Sequence, residues 1–302
     1  MPIWRARYQR SEFVKTARAP VPVREICWEG GYQVTKTLVV TGCSRGIGRH
    51  IALRMAALGW SVWGTLRSES GREELESAGV RVLNVDVTNE TQVVEAVAAV
   101  VREDGKIDAF VANAGIGTFG CFETLIDTQI RQMMEVNFFG VLSCARAVLP
   151  SLRQSRGRLV VISSVAGRRG APGASGYNAS KFAVGGWAEG LSYELEPFGV
   201  SVSLVEPGPV ETGFFDARWG GEVPEGSPYE KITEQLAKKL DGVRNKWVDV
   251  ADVGCQVERL LTVSNPSFRV VVGYKNKAQV ILNKKLPESW WRAMVRRAVS
   301  LG

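Results

Sequence analysis

From Thr37 onward, short apolar runs alternate with longer amphipathic stretches. Residues 36–41, 61–65, 80–85, 107–112, 159–163, 200–206 and 268–272 are runs of mainly β-branched and other apolar residues that read as strands. Between them the apolar period changes from two to about 3.6 over 46–58, 70–78, 90–103, 127–149, the stretch around Tyr177 and 249–263, which predicts helices. Strands that alternate with helices are βαβ units, and these build a parallel sheet.

The alternation lapses between Gly208 and Asp249. Phe214, Phe215, Trp219 and Tyr229 stand there among clustered Gly and Pro, around one helical piece at 229–240. A long aromatic insertion on the ligand side of such a sheet reads as a lid over a binding site, here about 208–248. The chain divides into an N-terminal extension (1–36), a dinucleotide-binding catalytic domain (37–274) and a basic C-terminal tail (275–302). No internal repeat or low-complexity segment interrupts it.

Composition narrows the class. The chain has 302 residues, with 45% hydrophobic and 23% charged content, as in an ordinary soluble domain. The net charge of +7 raises the question of nucleic acid, and the position of the charge answers it. Residues 1–24 and 275–302 together hold 13 of the 38 basic residues and 2 of the 31 acidic ones. The body is therefore mildly acidic and lacks the basic stripe that nucleic acid needs. Five scattered cysteines without C-x-x-C spacing predict neither a disulfide framework nor a metal site, and they suit a reducing cytoplasm. His50 is the only histidine, so a Ser-His-Asp triad is not expected.

Two stretches carry chemistry. After the first strand comes Thr41-Gly42-Cys43-Ser44-Arg45-Gly46-Ile47-Gly48, opening a helix. Glycines there allow a tight turn, close approach of backbone to a pyrophosphate, and packing of helix on strand. Exposed N–H groups and the helix dipole then attract phosphates. At the end of the second strand, where an acid would bind the ribose of NAD, stand Leu66 and Arg67. Arg67 with Arg45 offers forked donors for a 2′-phosphate, which predicts NADP(H) over NAD(H). The second stretch runs from Ser163 to Lys181. Tyr177 and Lys181 are four apart and share a helix face, so the ammonium is expected to lower the phenol's pKa from about 10. Ser164 closes a strand where open α/β sheets bind ligands, and would hold a carbonyl oxygen for that acid.

Thr41-Gly-x-x-x-Gly-x-Gly48, Asp86, Asn113-Ala114-Gly115, Asn137, Ser164, Tyr177-x-x-x-Lys181 and Pro207-Gly208 fall in the order and spacing of the short-chain dehydrogenase/reductases, which residues 37–273 resemble. The resemblance implies a single-domain Rossmann fold, a doubly wound seven-stranded parallel sheet with helices on both faces. It implies hydride transfer between a nicotinamide and a carbonyl or alcohol carbon. Tyr177 would be the general acid/base, and Ser164 would orient the substrate oxygen. Lys181 would acidify the tyrosine and bind the nicotinamide ribose, while Asn137 would hold a water linking Lys181 to solvent. Asp86 and Val87 would touch the adenine, Asn113 and Gly115 the ribose side, and Val210 and Thr212 the carboxamide.

Ser203–Thr212, Asn113–Gly117 and the pair Phe214-Phe215 look most like the hydroxysteroid and retinol dehydrogenase branch. They imply a small lipophilic substrate bound beside Phe214 and Phe215. Two rivals stand beside this reading. One is reduction of a carrier-bound β-ketoacyl thioester, with Arg168 and Arg169 as a docking patch. The other is a catalytically idle NADPH sensor or scaffold. Gly185, Gly186 and Gly190 on the Tyr177 helix would let a second helix approach, which with the resemblance implies a homodimer or homotetramer. In the tail, apolar residues at 290, 291, 294, 295 and 299 oppose Arg292, Arg296 and Arg297. That pattern suits peripheral contact with an anionic membrane surface, and equally packing on the chain's own domain or on a second subunit.

Overall fold

Seven parallel strands lie side by side in the order β3-β2-β1-β4-β5-β6-β7. They are β1 (Thr37–Val40), β2 (Ser61–Leu66), β3 (Arg81–Asn84), β4 (Ala109–Ala112), β5 (Arg158–Ile162), β6 (Ser201–Pro207) and β7 (Arg269–Val272). The computed structural model describes residues 35–214, 223, 225–242 and 247–298. Nearly all of the expected N-terminal extension, together with Phe215 and Trp219, lies outside them. Strand order reverses between β1 and β4, and at such a switch point the loops leaving the strands open a crevice.

Successive residues of each strand feed opposite faces. Val39, Phe110, Val161 and Leu204 join one apolar core, while Leu38, Val40, Val111 and Val160 join the other. The first core is covered by α3 (Glu90–Asp104), α5 (Gly140–Ser155) and α6 (Ser175–Leu195). The second is covered by α1 (Gly46–Ala57) and α8 (Val250–Thr262). A sheet apolar on both faces must be sandwiched by helices, which is why its strands read as unbroken apolar runs. The helices α2 (Arg72–Ser77), α4 (Asp127–Met134) and α7 (Glu230–Gly242) complete the element order through α8.

Two departures from the sequence reading matter for the site. The single helix expected over 127–149 is α4, a π-helical turn at Glu135–Phe139, and then α5. Asn137 sits in that turn, fully buried, with its amide bonded to the backbone of Ile116. An inserted residue re-aims one side chain without ending the helix. The second departure follows β7, where a helix α9 (Tyr274–Lys285) starts directly, and α10 (Glu288–Ala298) comes after it. Asn276 on α9 donates to the Val272 carbonyl at 2.9 Å and packs against Gly208 and Gly273. The segment read as a tail thus begins as a packed part of the domain.

Candidate active site

A cleft of about 980 Å³ opens at the C-terminal ends of the strands. Its lining includes Gly42, Ser44, Arg45, Gly46, Ile47, Arg67, Asp86, Val87, Asn113, Ala114, Gly115, Ser164, Tyr177, Lys181, Pro207, Gly208, Val210, Thr212 and Phe214. Residues far apart in sequence, each singled out by a motif, therefore meet in one place. Gly48 and Asn137 do not line it; they stand behind the wall and hold it up. A side chain at Gly48 would strike Asn113 and the Gly42 carbonyl, so the glycine lets α1 press onto the β1 turn.

One half of the cleft suits a dinucleotide phosphate. Gly42 and Gly46 adopt φ of 72° and 61°, and a Cβ at Gly42 would come within 2.9 Å of the Ala114 backbone. Arg45 precedes α1 without a side-chain cap, which leaves the first-turn N–H groups to a ligand. Asn113 lines the cleft and also braces its floor. Its amide donates to the Thr41 and Gly42 carbonyls at 2.8 and 3.1 Å, bracing the turn. Ser163 also lines the cleft, and its buried hydroxyl lacks a hydrogen-bond partner among the described residues. The glycine turn in the cleft wall, the open helix end and this orphan hydroxyl fit a bound nicotinamide dinucleotide.

Arg45 and Arg67 are both exposed at the mouth, with Ser68 and Ser70 beside them. The carboxylate between those serines, Glu69, is drawn off to Arg72 and Asn84. Asp86 lies below its ordinary pKa. Burial pushes it up, but the Thr88 N–H and hydroxyl and the nearby Arg67 charge outweigh that. Cys43 in the turn is fully buried against Gly64, and burial pushes its thiol up to about 12, so it serves as packing.

The other half holds the polar groups in an apolar box. The Tyr177 ring lies 5.4 Å from Phe119 and 5.9 Å from Phe214 between centroids, and the two phenylalanines are 6.3 Å apart. Tyr177, Ser164 and Lys181 are each under a tenth exposed. Ser164 lies two residues past β5 in extended backbone, where its Oγ accepts from the Ala166 N–H at 3.1 Å. Phe119 carried no sequence signal, because it lies between β4 and α4 where no period runs.

Here one expectation is corrected. Burial raises the Tyr177 phenol to about 12, and only the hydrogen bond with Ser164 pulls against it. Lys181 Nζ stands 5.9 Å from the ring centroid and donates to the Ile162 carbonyl at 3.1 Å. Burial lowers the lysine itself to about 8. Desolvation thus outweighs the attraction expected between the two charges.

Asn137 commits its amide to the backbone of Ile116, a residue of the cleft wall, and to Ser180. Its Oδ1 accepts from the Ile116 N–H at 2.7 Å, and its Nδ2 donates to the Ile116 carbonyl at 2.8 Å and to Ser180 Oγ at 3.0 Å. It knots the π-turn to the β4 loop and to α6, one residue before Lys181. Gly115 fits between Asn137 and Lys181; a Cβ there would lie 3.3 Å from Oδ1 and 3.8 Å from Nζ.

Arg168 is also corrected. Its guanidinium reaches Glu206 Oε2 at 2.6 Å, and Glu206 is fully buried on β6. Arg269 takes the other carboxylate oxygen at 2.9 Å and reaches Glu189 at 2.6 Å. Arg168 is therefore a strut between the Ser164 loop and β6 rather than part of a docking patch.

The comparisons agree with this geometry. The family model described as short chain dehydrogenase matches residues 36–222. A 3-ketodihydrosphingosine reductase of Bacteroides thetaiotaomicron is 36% identical over 239 residues, covering 78% of this chain and 87% of its own. Human retinol dehydrogenase 8 is 36% identical over 190 residues, covering 59% of this chain and 60% of its own. Among solved structures, a short chain dehydrogenase/reductase of Burkholderia phymatum in complex with NAD aligns with a TM-score of 0.71 at 26% identity, covering 86% of this chain and 95% of its own. An alcohol dehydrogenase of Thermococcus sibiricus complexed with 5-hydroxy-NADP aligns at 0.64 and 27% identity, covering 78% and 95%.

Proposed function

We propose, from the premise that the chain belongs to the short-chain dehydrogenase family, that it is an NADPH-dependent reductase of lipophilic ketones or aldehydes, also able to run the reverse oxidation. The observation that carries the reading is the box of Phe119, Tyr177 and Phe214 around a buried phenol. An apolar pocket with one or two convergent polar groups suits a lipophilic molecule with a single carbonyl.

When bound, the reduced nicotinamide supplies a hydride. Gly42, Gly46 and the open end of α1 would hold its phosphates, and Arg45 and Arg67 a 2′-phosphate. Tyr177, kept protonated by burial, would donate its Oη proton to the carbonyl oxygen as charge develops there. The Ser164 hydroxyl would hold that oxygen beside the phenol. Lys181 would steady the charge left on Tyr177 and refill its proton, an assignment favoured by a pKa near 8. Asn137 would fix Lys181 through Ser180 and the π-turn. Phe119, Phe214 and Leu236 would exclude water, which strengthens each of these interactions.

The preference for NADPH is supported by the two exposed arginines at the cleft mouth and by the diversion of Glu69. The relatives' names point the same way for substrate, one naming a ketone of a long-chain base and the other a polyene alcohol. The carrier-thioester reading loses its docking patch with Arg168 held by Glu206. Oxidation of NADPH and NADH over a panel of long-chain, steroidal and short ketones tests the proposal. Faster turnover of long apolar ketones with NADPH is expected, and nucleotide binding without turnover of any carbonyl would favour the idle sensor.

A further inference from the structure

Helix α10 divides its apolar residues between two faces. Trp291 and Val295, four apart, are partly buried, and the Arg169 guanidinium lies 5.0 Å from the Trp291 ring centroid. Trp290 and Met294, also four apart, stand 66% and 46% exposed; Arg297, read from the sequence as opposing them, falls on their side at the i+7 position. Leu282 on α9 adds a further exposed apolar residue, 43% open. One stripe anchors the helix to the domain, and the other is left facing outward.

The charge around that stripe is one-sided. Residues 274–298 hold seven basic residues and one acid, Glu288, which is paired with Arg292. Exposed tryptophan framed by arginines is the composition that lies at a lipid–water boundary, with the ring among headgroups and guanidinium groups on phosphates. No helix among the described residues is long and apolar enough to cross a membrane, so contact would be along the surface. Position adds a reason: Arg169, which holds α10 through Trp291, lies two residues before Ala171, Pro172 and Gly173 on the rim of the cleft.

We propose that the outer face of α10 docks on an anionic bilayer surface and sets the mouth of the cleft against it, so that lipophilic substrate enters from the lipid. The docking stands on the helix alone; delivery of substrate rests on the function proposed above. The test sediments the full-length protein with vesicles of phosphatidylcholine, or of phosphatidylcholine mixed with phosphatidylglycerol, with no nucleotide or substrate present. The expected result is binding to the mixed vesicles that weakens with salt, and binding about tenfold weaker or less to the neutral ones. Trp290→Glu with Met294→Glu is expected to cut binding by about tenfold or more while leaving thermal unfolding and turnover of a short soluble ketone unchanged. Turnover of a vesicle-embedded ketone should fall in the same variant.

A parent that stays in the supernatant, or a double variant that binds as well as the parent, overturns the proposal. So does a parent that elutes as a dimer and becomes monomeric in the variant, since the face would then belong to a second copy. Vesicle binding that is intact while no ketone is turned over supports the docking and counts against the proposed function instead.

Discussion

In the half of the cleft at the ends of β1 and β2, the uncapped start of α1 and two exposed arginines border the opening. In the half formed by β5, β6 and α6, Tyr177, Ser164 and Lys181 are buried under aromatic rings. The first half can take a highly charged ligand with little desolvation of its own. The second has removed its ionisable groups from water in advance, and that burial moves the phenol up to about 12 and the ammonium down to about 8. One half works by offering charge and the other by withholding water. Charge on the open side can be changed without unfolding the protein, whereas charge on the closed side is tied to stability.

The sharpest contrast comes from Tyr177→Phe. It keeps the ring in the aromatic box and removes the hydroxyl, and with it the proton donor and the hydrogen bond to Ser164, so turnover should fall by about 10³-fold or more. Nucleotide affinity should stay within about threefold; steady-state kinetics and a nucleotide titration read the two separately. Glu206→Ala breaks the comparison from the structural side. It leaves Arg168 and Arg269 facing a buried hole, at a cost of about 3–5 kcal/mol in urea unfolding. Arg67→Glu acts on the open half alone. Loss of one charge-assisted contact and gain of repulsion should weaken NADPH by about 30-fold or more, with NADH nearly unchanged and unfolding unaffected.

The smallest effect is in pH. Lys181 ordinarily titrates at 10.5 and in the fold near 8, so between those values the unfolded chain holds a proton that the folded chain has lost. Stability should therefore rise with pH over that window, by roughly 1–3 kcal/mol. Tyr177 works in the opposite sense: its pKa is raised from 10 to about 12, so its contribution is lost as pH climbs through that range. Lys181→Met should abolish the rise between pH 8 and 10, read from urea midpoints.

The same contrast marks what was legible in the sequence. The glycine turn, Arg45, Arg67 and the Tyr177–Lys181 pair depend on local spacing, and the strands announce themselves by apolar runs, so the sheet and both ends of the cleft could be read along the chain. Phe119 could not, since its role depends on facing Tyr177 and Phe214 across the fold. The π-turn at Asn137 is hidden because Val136, Phe138 and Phe139 continue an apolar helical run, and the bonds that accompany the break go to distant Ile116 and Ser180. The role of Arg168 is invisible along the chain for the same reason: its partner Glu206 lies 38 residues on, in β6. Helix α9 has no signal along the chain because lysines at 275, 277, 284 and 285 interrupt the apolar periodicity of its sequence. Spacing reveals what a segment does with its own backbone; it is silent on which distant side chain completes it.

The central claim is that a carbonyl compound enters the closed half and receives a hydride from the nucleotide in the open half. The most direct measurement is the mass of the alcohol formed from a long-chain ketone with NADPH deuterated at its transferable position. One deuterium at the carbinol carbon with the parent protein, and almost no alcohol with Tyr177→Phe, is the predicted result. Tight binding of the nucleotide with no labelled alcohol from any ketone would contradict it.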